Sequence, residues 1–147
     1  MVIELVKRLK IVFEKGGEFL ATLLEDKAPF ASNQVWSSLP IETRAGQAAR
    51  SGEVLNCGMP FAHQLVENSK LVLPQGGLAL DGHNYRMHAR AALVIAYGSD
   101  NMSYGYSGLT NPISYFAQIE GELDDLYKIG LRNREFGREG VKFILET

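Results

Sequence analysis

Two short apolar stretches meeting at Gly16-Gly17 constrain this chain more than any other feature. Leu9, Ile11 and Phe13 alternate with Lys10 and Glu14, which places three apolar side chains on one face of a strand, while Val12 blurs the other face. The glycine pair supplies the positive-φ tolerance of a tight hairpin turn. Phe19 to Leu24 then reads as a second strand, apolar on both faces and so covered on both. Pro29 fits the first turn of a helix, and Ala28, Ser32, Val35, Trp36 and Leu39 recur at helical spacing until Pro40 ends it.

Beyond Pro40 the pattern turns extended. Ile41 to Met59 predicts two strands with a turn at Ser51-Gly52, and Ala45 to Ala49 is rich in small side chains. Leu71-Val72-Leu73 and Leu78-Ala79-Leu80 read as short strands split by Pro74-Gln75-Gly76-Gly77. Tyr85 to Tyr97 shows the clearest alternation, half buried at its start and apolar on both faces beyond Ala91. Ser99 to Pro112 has no period and reads as a long loop, the kind of segment that often carries function. Tyr115 to Ile119 predicts a strand, Leu123 to Leu131 a short helix, and Val141 to Leu145 a closing strand.

Many strands and two short, widely separated helices do not suit a βαβ crossover fold. The expectation is a mainly β protein: a closed β-barrel capped by two short helices, with closure removing unpaired sheet edges. With 147 residues and 46% hydrophobic content, residues 1–147 are read as one domain with a sizeable core.

Charge narrows the partners. Fifteen basic residues against 17 acidic ones give no field that concentrates nucleic acid or an anionic membrane. The first eight residues lack the long apolar core of a signal peptide or anchor, so the chain is expected to be mature protein. A lone Cys57 fits a reducing compartment, and the cytoplasm is the expected location.

Leu24-Glu25-Asp26-Lys27-Ala28-Pro29 with the helix after it is similar to the strand-to-helix junction of cyclophilins. Phe116 to Gly121 followed by Leu123 to Ile129 resembles their late strand, glycine and short helix. The chain thus resembles the cyclophilin-like proteins of bacteria whose function is uncharacterised, with Arg50 to Glu53 and Leu93 to Gly98 as further family-like stretches. Fold-level likeness does not carry function. Prolyl isomerases of that family have an Arg five residues before a Phe-Met-x-Gln segment, and a proline pocket with a Trp and a His. Arg50 is followed here by Ser51-Gly52-Glu53-Val54-Leu55, and Trp36, the sole Trp, lies on the first helix. Isomerisation needs a cationic donor beside the proline nitrogen and an apolar pocket for its ring, so binding ranks above it.

The chemistry-bearing residues are sparse. Arg44 and Arg50 stand at an even separation that would put both, with Glu42, on one strand face, and Arg50 faces Glu53 across a turn. Either pair also reads as a solvated surface. His63, His83 and His88 lack zinc spacing, and Cys57 is a single sulfur, so no metal is expected. Ser103, Ser107 and Ser114 lack a nucleophile elbow, Cys57 reads as a buried thiol, and no motif implies a cofactor. Tyr97, Tyr104 and Tyr106, with Met102, Asn101 and Asn111, make the densest amphipathic cluster, suited to a ligand pocket or a protein contact; Tyr97 reads equally as core.

The expected function is binding of a small molecule or short peptide in a cleft formed by Arg50, Glu53, Tyr97, Tyr104, Tyr106 and Asn111. Two other classes stay open: an enzyme, either a relic isomerase using Arg50 or a small-metabolite hydrolase or isomerase, and a module that forms a homo-oligomer through its Tyr-rich loop.

Overall fold

A computed structural model of the protein describes residues 6–82, 90–103 and 112–146. The first hairpin forms as its glycines dictate. β1 (Arg8–Phe13) and β2 (Glu18–Leu23) pair antiparallel, with Ile11 opposite Phe19. Gly16 and Gly17 take φ of 112° and 117°, and Phe13 N donates to Gly17 O at 2.9 Å to close the turn. Helix α1 (Pro29–Ser38) starts at the proline and buries Ala31, Ser32 and Val35.

The remaining elements are β3 (Ile41–Gln47), β4 (Gly52–Gly58), β5 (Ser69–Lys70), β6 (Gly77–Asp81), β7 (Ala92–Asn101), β8 (Ile113–Ile119), helix α2 (Asp124–Phe136) and β9 (Glu139–Leu145). Eight strands form a closed antiparallel circuit in the order β2-β1-β9-β3-β4-β7-β6-β8, and β8 returns to β2. β8 divides its second edge: Ala117 to Ile119 pair with β2, whereas Ile113 and Ser114 pair with the two-residue β5. The protein is therefore a mainly β closed barrel with two short helices. No helix among the described residues is long and apolar enough to cross a membrane.

Inward positions alternate as a barrel requires. Leu9, Ile11, Leu55, Leu93, Ile95, Phe116 and Phe143 have no exposed surface and fill the interior. Helix α2 packs on β3, β4 and β7 through Leu126, Ile129 and Gly130. Its C-terminal half is tied to the barrel by the buried carboxylate of Glu139. Arg132 donates to it at 3.0 and 2.9 Å, Asn133 Nδ2 at 2.8 Å and Lys15 N at 3.0 Å. Four donors offset the cost of burying that charge.

Several expectations need correction. β2 is buried on one face only, with Leu20 and Thr22 half exposed. Leu71 to Leu73 form no strand, because both backbone polar groups of Leu73 bond the side chain of Asn101 in place of a ladder. β7 begins at Ala92 and runs through Asn101, so it takes the first three residues assigned to the Ser99 to Pro112 loop; Tyr85 to Ala89 lie outside the described residues. Arg44 and Arg50 do not share a strand face, since β3 ends at Gln47 and Arg50 stands exposed in the turn before Gly52. Glu42 instead lies 3.6 Å from Lys142 across the β3–β9 ladder.

Candidate functional site

A barrel wall alternates apolar inside with polar outside, and one part of this wall breaks that rule. Val54 of β4, Ala79 of β6, Val94 and Ala96 of β7 and Ile113 of β8 all face outward and are buried. They form a second apolar cluster, separate from the interior, and Leu73 covers them with Tyr115 at its margin. Asn101 makes three hydrogen bonds, two of which fasten the covering segment to β7. Its Oδ1 accepts from Leu73 N at 2.8 Å, and its Nδ2 donates to Leu73 O and Gly98 O, each at 3.0 Å. Ser103 N adds a bond to Leu71 O at 2.7 Å, and Met102 N one to Ser51 O at 3.1 Å.

Beneath this cover lies a cavity of about 50 Å³. Its apolar walls are Val54, Val94, Leu71, Leu73 and Ile113, and Asn56, Asp81, Asn101, Ser51 and Ser103 bring polar groups to it. A liquid water occupies about 30 Å³, so the cavity holds one small polar group, not a whole drug-sized ligand.

The structure divides the residues expected in one cleft. Arg50 is exposed beside Ser51 at the rim. Glu53 and Tyr97 come together at the other face of the wall, under α2. Tyr97 has no exposed surface; its hydroxyl donates to Gln47 Oε1 at 2.6 Å and its ring lies 5.9 Å from that of Tyr127. It packs as a core residue, and burial raises its pKa above the ordinary tyrosine value. Glu53 accepts Asp100 N at 3.0 Å and a hydrogen bond from the Tyr127 hydroxyl, and that bond raises the Tyr127 pKa. Tyr104, Tyr106 and Asn111 lie outside the described residues, as do His83 and His88.

Other candidates resolve into structure. Cys57 is wholly buried and its thiol is pushed up to about 12 by that burial, so it offers no thiolate nucleophile. His63, 3% exposed, bridges α1 to β8: its Nδ1 lies 2.6 Å from Gln34 Oε1 and its Nε2 2.9 Å from Ser114 Oγ. Gln34 Oε1 only accepts, so Nδ1 donates to it. Ser114 has no exposed surface, which removes it from the reach of any substrate. No group of three or more His, Cys, Asp or Glu side chains among the described residues is placed to hold a metal. Sequence reasoning missed Asn56 and Asp81 in the cavity lining, and its one signal was the apolar outward face of β7.

No protein-family model and no curated protein matches the chain. Among solved structures, the chain is similar to the structure of McbB in complex with tryptophan, at 16% identity and a TM-score of 0.73, with 94% of this chain covered. It spans 44% of the length of McbB. It is also similar to the solution structure of the hypothetical protein AF2241 from Archaeoglobus fulgidus, at 20% identity and a TM-score of 0.64, covering 96% of this chain and 95% of that one. At these identities the likeness is one of fold, a related closed β-barrel.

Proposed function

We propose that this chain is a cyclophilin-like binding protein that takes a small molecule or short peptide on the outer wall of its barrel. The ligand inserts one small hydrogen-bonding group, of amide size, into the cavity between Asn56, Asp81 and Ser103. The observation that carries this reading is the cavity itself: a hollow with polar groups in its lining beside an outward apolar cluster, where a barrel wall is ordinarily polar and flat. Asn56 and Ser103 supply both donors and acceptors, as an amide group requires. A fold neighbour solved with tryptophan supports a small-molecule ligand over a macromolecular one. The single buried cysteine supports a cytoplasmic setting.

A thermal-shift panel of formamide, acetamide, small aliphatic amines and an alanyl-proline dipeptide tests the reading, since a ligand for the folded state raises its apparent stability. The expected result is a saturable rise in Tm for the amide-bearing probes that disappears in Asn56→Leu while the ligand-free Tm stays near the parent's. No shift for any probe, or an equal shift in the variant, overturns it.

A further inference from the structure

A different part of the wall is opened by strand divergence. The β3–β4 ladder consists of Ala45–Cys57, Gly46–Asn56 and Gln47–Leu55, and it stops there. From Ala45 back to Ile41, β3 stays paired with β9, whereas β4 leaves toward β7, with Met59 N bonded to Ala91 O at 3.0 Å. The two strands therefore splay, and a groove of about 420 Å³ opens between them. That volume falls within the range of small-molecule sites.

The furnishing of the groove is specific. Pro40 and Pro60 give it exposed apolar walls, while Ile41 and Met59, 4% and 2% exposed, belong to the core behind them. The floor at Gly58 is open: a methyl group added there would meet nothing nearer than Thr43 Oγ1 at 3.9 Å. Arg90 and Glu42 are the charged residues lining it. Glu42 faces Lys142, whereas Arg90 makes no ion pair or side-chain hydrogen bond among the described residues. Arg90 does not swing freely at its backbone, because Ala91 N donates to Phe61 O at 2.8 Å next to it.

A guanidinium held at the end of an apolar groove recognises a carboxylate, with both oxygens engaged by its planar fork. We propose that the β3–β4 groove binds a small monocarboxylic acid, its carboxylate on Arg90 with the Thr43 hydroxyl as a second donor, and its apolar body against Pro40 and Pro60. Glu42 on the opposite wall repels a second carboxylate, so the site selects monoacids over diacids. This site is independent of the outer-wall cavity, which shares no lining residue with it.

Titration of isotope-labelled protein with benzoate, hexanoate, benzamide and succinate, followed by NMR, tests the inference. The expected result is saturable shifts at Thr43, Gly58 and Met59 with benzoate or hexanoate, and binding at least tenfold weaker for benzamide and succinate. Arg90→Ala weakens benzoate at least tenfold and Arg90→Lys restores part of it, which separates lost charge from lost structure. Equal affinity for benzoate and benzamide, undiminished binding in Arg90→Ala, or shifts at Asn56 and Ser103 instead of the groove overturns the proposal.

Discussion

The ring of Tyr97 occupies the space where a side chain on Gly130 would begin. A methyl group built at residue 130 would collide with Cγ and both Cδ atoms of that ring, so helix α2 can approach β7 only because position 130 carries none. The ring is the largest fully buried side chain among the described residues and is fixed at its far end by Gln47.

Gly130→Ala therefore sets two effects against each other. Alanine in place of a mid-helix glycine favours the helix by about 1 kcal/mol. Overpacking a buried, hydrogen-bonded ring costs about 1–3 kcal/mol and more when the ring cannot move. The collision wins, and chemical denaturation is expected to show net destabilisation. Adding Tyr97→Leu to Gly130→Ala should recover part of the loss, a coupling that two independent sites would not show.

Asn101 offers a second test, of the cover over the outer apolar cluster. Asn101→Ala leaves Leu73 N and Leu73 O without their partners in a buried setting, which costs about 1–3 kcal/mol. Hydrogen exchange should accelerate at Leu73 and Ser103 while the interior amides of Leu93 and Ile95 keep their protection. Uniform acceleration throughout the barrel would show that the cover is not a separate unit.

The hydrogen bond from Tyr127 to Glu53, followed by the carboxylate's charge, raises the Tyr127 pKa above its ordinary value of 10.0. The folded state thus holds the phenolic proton more tightly than the unfolded chain does. The stability this contributes is complete below pH 10.0 and is lost as pH rises through the higher folded value. In Glu53→Gln the alkaline absorbance titration of this tyrosine should move toward the ordinary value, and stability should decline less steeply above pH 10.0. An unchanged titration would disprove the contact.

How much of this was legible in the sequence follows from the range of the interactions. Gly16-Gly17, Pro29 and Pro40 act on their immediate neighbours, and the first hairpin and helix follow from them. The alternation of Leu93, Ile95 and Tyr97 marked an inward face, and Val94 and Ala96 beside them marked an outward face that needed a cover. What supplies the cover was not legible, because the turn of Leu71 to Leu73 is held by the Asn101 side chain, 28 residues away, and by Ser103 N. The same holds for His63, whose partners Gln34 and Ser114 stand 29 and 51 residues from it. Arg44 and Arg50 were misplaced by extending strand parity beyond Gln47, where the strand had already ended.

The most direct measurement of the proposed function is a map of amide shifts on adding acetamide to isotope-labelled protein. Saturable changes confined to Ser51, Asn56, Val94, Asn101 and Ser103, and abolished in Asn56→Leu, are expected. Changes absent from those residues at saturating probe, or centred instead on Tyr127 and Glu53 beneath α2, would contradict it.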